Sequence, residues 1–157
     1  MANLSTTIIE NVTLNGQKTK LVTNKTITDV NNIMHRSVKI PTSQNTTLVT
    51  FKTSEHTSDG AMDLEDIKYI RISNVSTAAS SDCTLSLQVA GGELGTANMS
   101  ASILLEQNKS FILGSVHDGI SVGDTDATVI TALTDLESIV AVSGAVQIIL
   151  EIFIAQG

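Results

Sequence analysis

Apolar and polar residues alternate along most of this chain in short runs, and a two-residue period predicts β-strands rather than helices. The strongest run is C-terminal. Val146, Ile148, Leu150, Ile152 and Ile154 share one strand face, and Ile149, Phe153 and Ala155 share the other with Gln147 and Glu151. One face is wholly apolar and the other mostly so, which predicts a central strand of a packed sheet. Each large aliphatic that is fully buried stabilises by roughly 1.5–3 kcal/mol, so this strand supplies a large share of the expected core. The run is too short to cross a bilayer as a helix and has Glu151 inside it.

The rest of the chain divides in the same way. Ser5–Leu14 reads as a strand and Gln17–Asn24 as its return, joined by Asn15-Gly16, the dipeptide that favours a two-residue hairpin turn. Short patches over Lys25–Val30 and Ile33–Ile40 lead to Pro41, the one proline. Thr46–Lys52 predicts a strand with Leu48 and Thr50 on one face and Val49 and Phe51 on the other. Thr53–Asp66 reads as a long acidic loop with room for one helical turn over Ala61–Asp66. Ile67–Val75 follows, with Arg71 and Ser73 opposite Ile70 and Ile72, and then Thr84–Val89, with Leu85, Leu87 and Val89 inward. Met99–Glu106 and Ser110–Gly114 flank a turn at Gln107-Asn108-Lys109. Val116–Ala127 reads as a loop, Thr128–Leu133 and Leu136–Val142 as strands, and Ser143-Gly144-Ala145 as a tight turn. Only over Ala127–Leu136 does a helix compete.

About nine to eleven short antiparallel strands with little helix predict an all-β fold, a β-sandwich or jelly roll. The expected organisation is an N-terminal hairpin and extended arm over 1–60, joined to a sandwich body over 61–157.

Charge adds a second contrast. The net charge is −7, but residues 1–52 carry six basic groups against Glu10 and Asp29, a balance of +4. Residues 53–157 carry three basic groups against fourteen acidic ones, a balance of −11. A basic leading segment on an acidic body suits an arm laid over an acidic surface. The lysines are scattered and no aromatics are interleaved with them, so nucleic acid is not an expected partner. Only 16% of residues are charged, against roughly 25% in an ordinary soluble domain, which favours a subunit whose flanks touch neighbours. The start Met-Ala-Asn-Leu-Ser has neither a basic nor a long apolar leader region, so synthesis in the cytoplasm is expected, with no membrane partner.

Candidate chemistry is thin. His35, His56 and His117 are the only histidines, and no Gly-x-Ser-x-Gly elbow accompanies them. Cys83 is the single cysteine, which rules out an internal disulfide and a cysteine metal cluster. It is expected as a small buried residue. Asp59, Asp63, Glu65 and Asp66, and the pair Asp124 and Asp126, offer oxygen ligands for calcium, but neither group has the spacing of a twelve-residue calcium loop. Gly91-Gly92-Glu93-Leu94-Gly95 lacks the Lys-Ser/Thr of a phosphate-binding loop. No catalytic residue, cofactor or metal site is expected. An enzymatic alternative would be a hydrolase working through Asp124 and Asp126.

The runs Ile70-Arg71-Ile72-Ser73-Asn74, Leu85-Ser86-Leu87, Lys109-Ser110-Phe111-Ile112-Leu113, Leu136-Glu137-Ser138-Ile139 and Glu151-Ile152-Phe153-Ile154-Ala155 resemble small β-sandwich virion proteins of tailed bacteriophages. The resemblance covers about residues 67–157 and rests on strand patterns. It implies a jelly-roll-like, non-enzymatic subunit that decorates or cements the capsid exterior, favouring a homotrimer and binding the major capsid protein. The alternative it leaves is a phage tail or receptor-binding module that recognises glycans.

Overall fold

A computed structural model describes residues 2–52, 62–89, 99–114, 121–122 and 134–157. The described residues form eleven strands: β1 (Ala2–Leu14), β2 (Gln17–Val30), β3 (Asn32–Ile40), β4 (Asn45–Thr50), β5 (Ile67–Asn74), β6 (Cys83–Val89), β7 (Met99–Leu105), β8 (Ser110–Gly114), β9 (Ser121–Val122), β10 (Thr134–Ser143) and β11 (Ile148–Gln156). All strand pairings between them are antiparallel. One sheet has the order β4-β10-β6-β7, with β9 also paired to β10; a second has the order β3-β11-β5-β8. β1 and β2 pair only with each other. The fold is an all-β sandwich, as the alternating pattern predicts.

The C-terminal strand takes the predicted central place. β11 bonds to β3 on one side and β5 on the other. Ile148, Leu150, Ile152 and Ile154 are buried, while Ile149 on the other face is exposed. The opposite sheet sends in Leu85 and Leu87 from β6, Ile139 and Ala141 from β10, and Leu48, Val49 and Phe51 from β4 and its end. Ile40 and the β5 residues Ile67, Ile70 and Ile72 complete the interior. The inner faces are therefore largely aliphatic, with Phe51 the largest fully buried side chain.

The register shifts at four places in the described pairings, and two of these bulges bear on the hairpin and the core. Ile139 faces Val49 and Val140 faces Thr47, so Leu48 is an extra residue on β4. Leu48 and Val49, expected on opposite faces, are both buried, because a bulge re-aims one side chain without breaking the strand. At the base of the hairpin Leu4 faces Ile27 and Ala2 faces Val30. The extra residue on β2 lets Ile27 and Val30 both turn inward, and Asp29 takes the left-handed backbone conformation (φ 59°) beside it.

The turn at Gln107–Lys109 joins two strands as expected, but β7 and β8 belong to different sheets. This connection is a corner of the sandwich. Buried Asn74 fastens it: its Nδ2 donates to the carbonyl oxygens of Ser81 (2.6 Å) and Leu105 (3.4 Å), and its Oδ1 accepts from the Ser76 amide (3.2 Å). The backbone amide of Asn108 donates to the carbonyl of Asn74 at 3.0 Å.

Two strands from the expected N-terminal portion join the sandwich sheets. β3 and β4 lie before residue 60, yet they pair with β11 and β10 inside the two sheets. Among the described strands, β1 and β2 alone stand outside the sandwich sheets, and the Asn15-Gly16 turn lets them satisfy their backbone locally. Of the expected helix competitor over Ala127–Leu136, residues 134–136 belong to strand β10 and the remainder lies outside the described residues. The strand expected at Thr128–Leu133 lies outside them too.

Truncating Ile152 to alanine should cost about 2–5 kcal/mol, the range for large-to-small changes in a packed core. The same change at exposed Ile149, one face over, should cost less than about 1 kcal/mol. Urea unfolding of the two variants checks the contrast.

Candidate interaction surface

The hairpin and the outer face of the β3-β11-β5-β8 sheet hold the features that the core does not explain. Asn15 (φ 51°) and Gly16 (φ 79°) form the tight turn, matching the two-residue hairpin geometry that positive φ at both positions requires. Twelve facing pairs follow from Ala2 opposite Val30 to Leu14 opposite Gln17. Facing residues share a side of the ribbon. One side therefore carries Leu4, Ile8, Val12 and Leu14 from β1 with Leu21 and Ile27 from β2, and Glu10 and Lys25 stand among them. The other carries Asn11, Thr13, Lys18 and Lys20, around the apolar pair Ile9 and Val22.

Only the base of the apolar side is covered. Leu4 packs with Ile27, Val30 and Ala155 against Tyr69 and Phe153 on the outer sheet face. Beyond that contact Ile8, Ile9, Val12, Leu14, Leu21 and Val22 are 45–67% exposed. At about 3.4 Å per residue, Ile8 to Leu14 extends roughly 20 Å along the ribbon.

The sheet face beneath the base is organised in rows by register. Ala155 stands between Ile33 and Tyr69, Phe153 between His35 and Arg71, and Glu151 between Ser37 and Ser73. A Glu151 carboxylate oxygen (Oε1) lies 2.9 Å from Nη2 of Arg71 and 3.1 Å from Nε2 of His35. The His35 and Tyr69 rings each lie 6.1 Å from the Phe153 ring, Tyr69 edge-on. Ser73 and Ser110 share a 2.8 Å hydrogen bond. A cleft of about 450 Å³ opens between hairpin and sheet, lined by Leu4, Ile8, Tyr69, Arg71, Ile112 and Phe153 among others. Ile33, Ile112 and Ile149 remain exposed on this face. Its chemistry is that of an adhesive surface: aliphatic patches around one shared ion pair.

The candidate chemical residues are scattered. His35 lies on this outer face, whereas Cys83 is buried on the inner face of the other sheet, so the two are not brought together. Burial, with the Asp82 charge beside it, pushes the Cys83 thiol up to about 11. Asp63 accepts the Glu65 amide on its Oδ1 (3.0 Å) and donates its own amide to Gln156 (3.0 Å), holding a turn. Among the described residues no group of three His, Cys, Asp or Glu is placed to hold a metal ion. His56, Asp59, His117, Asp124 and Asp126 lie outside the described residues. No described helix is long and apolar enough to cross a membrane.

No protein-family model and no curated protein matches the chain. One solved structure, described as "Bacillus endospore appendages form a novel family of disulfide-linked pili", is similar over 79% of this chain and 87% of its own. The identity is 13% and the TM-score 0.38. A likeness that slight carries neither fold nor role across.

Two features of the surface were not visible in sequence. Arg71 and Glu151 could each be assigned to a polar strand face, but only the β5–β11 register brings them together. The exposure of the hairpin aliphatics was not visible either, since periodicity marks a strand face and not whether a second layer covers it.

Two outcomes test this description. Glu151→Gln should lower stability by less than about 1 kcal/mol, as for other partly exposed ion pairs. Cys83 should resist alkylation at pH 8, where about one thiol in a thousand is ionised, and react fully in denaturant. Because its folded pKa is raised from 9.0 to about 11, the stability it contributes is complete below pH 9 and is lost as pH rises through 11. Cys83→Ala should remove that part of the alkaline loss in a pH series of urea midpoints.

Proposed function

We propose that this chain is a non-enzymatic structural subunit that works by adhering to neighbours, and specifically a decoration or cement protein on the exterior of a tailed-phage capsid. The observation that carries the reading is the hairpin, which holds a row of aliphatic side chains in water away from the core. Contiguous apolar surface of this kind marks an interaction site in a soluble protein. A two-stranded ribbon is marginally stable alone, so a neighbour that covers one side also fixes its shape.

The sandwich suits such a role. Its aliphatic interior needs neither disulfide nor cofactor, and its low charge suits flanks that lie against other subunits. The strand patterns that resemble virion proteins lie in β5, β6, β8, β10 and β11, the elements of the sandwich itself. In this reading the chain assembles as a homo-oligomer, a trimer favoured, and binds the major capsid protein with no nucleic acid or membrane contact.

Quantitative mass spectrometry of virions purified from the producing culture tests this. The chain should appear at a fixed ratio to the major capsid protein, with matching density on the capsid exterior by electron microscopy. Particles lacking it should break at a lower temperature. Its absence from particles would sink the proposal, and density confined to the tail would replace it with the receptor-binding alternative.

A further inference from the structure

We propose that the apolar side of the β1–β2 hairpin of one copy lies on the outer β3-β11-β5-β8 face of a second copy. This deepens the structural role above by naming the surface through which copies adhere. The contact is head to tail, each copy offering a hairpin and receiving one.

Three observations point to a second copy. First, the exposed apolar groups fall largely into two sets of matching chemistry. Ile8, Val12, Leu14 and Leu21 form the uncovered side of the ribbon, and Ile33, Ile112 and Ile149 stand uncovered on the sheet face. Second, the chain already makes this kind of contact with itself. At the ribbon base Leu4 and Ile27 pack against Tyr69 and Phe153 of that same face. The ribbon then runs past its own body, so a second copy's face continues a packing mode already present. Third, the charges are complementary. The contacting side of the ribbon carries Glu10 and Lys25, and the receiving face carries Lys39 and Arg71 beside Glu151, so each patch offers both signs to the other.

The geometry also fixes the type of interface. Hairpin and sheet face are different patches, so the contact is heterologous, and it closes into a ring or continues as a chain according to the rotation between copies. The cleft beside Tyr69, Arg71 and Ile112 is the place on the receiving face where a side chain of the incoming ribbon would seat.

Sedimentation equilibrium of the full chain tests the contact, using threonine replacements that keep strand propensity while removing apolar surface. The intact protein should be oligomeric at about 10 µM, an ordinary working concentration for a subunit contact. The hairpin variant Val12→Thr/Leu14→Thr/Leu21→Thr and the face variant Ile112→Thr/Ile149→Thr should each associate at least tenfold more weakly. A mixture of the two should recover a one-to-one dimer, because one retains a working face and the other a working hairpin. Leu104→Thr, on the other sheet, should change nothing. An intact protein that stays monomeric, variants that assemble unchanged, or a mixture that stays monomeric would each overturn the proposal, whether or not virions contain the chain. An oligomer abolished by both variants, but absent from virions, would support this contact and sink the capsid reading.

Discussion

The sandwich depends on two strands buried between neighbours. β11 lies between β3 and β5, and β10 lies between β4 and β6. Their inward aliphatics, Ile148, Leu150, Ile152 and Ile154 from one and Leu136, Ile139 and Ala141 from the other, meet across the interior. Removing that apolar surface from water is the main favourable term available to an interior without disulfide bonds and with little aromatic area. Buried polar groups at two key places are bonded: Asn74 satisfies three backbone partners at the corner, and the Ser143 hydroxyl donates to the Pro41 carbonyl at 2.8 Å, whereas the buried Ser81 hydroxyl has no partner among the described residues.

The hairpin follows a different rule. Its backbone is satisfied by its own ladder, so it needs no sheet to join, and its side chains are left without a second layer. The base is held by one small cluster around Tyr69 and Phe153. This combination gives a projecting element with good internal register and an incomplete hydrophobic environment. Its three lysines all lie on β2, whereas β1 carries Glu10 as its only charge, so one ribbon edge is far less guarded against pairing than the other.

Strand identity was legible in the residues wherever one face is buried. The alternation in β6 and β11, and the Asn15-Gly16 turn, read directly into the observed elements. Legibility failed where geometry departs from period two. At Leu48 and at the Ile27–Val30 segment a bulge places consecutive apolar residues together, and no local signal in the sequence announces it. It also failed for the interaction surface, whose Glu151, Arg71 and His35 come from three strands and meet only through long-range register. Aliphatic residues in β1 and β2 carry the same pattern as those in the core, since the pattern records strand faces and not what covers them.

The order of the strands has a consequence for how the protein is made. β3 and β4 emerge early from the ribosome, but their partners are β11 and β10, which are synthesised last. Neither sheet can therefore be completed until nearly the whole chain is released, whereas the hairpin can zip as soon as residue 30 is out. Contacts of such long sequence separation form slowly. The nascent protein must pass through a stage in which its adhesive ribbon is finished while the sandwich that carries it is still open.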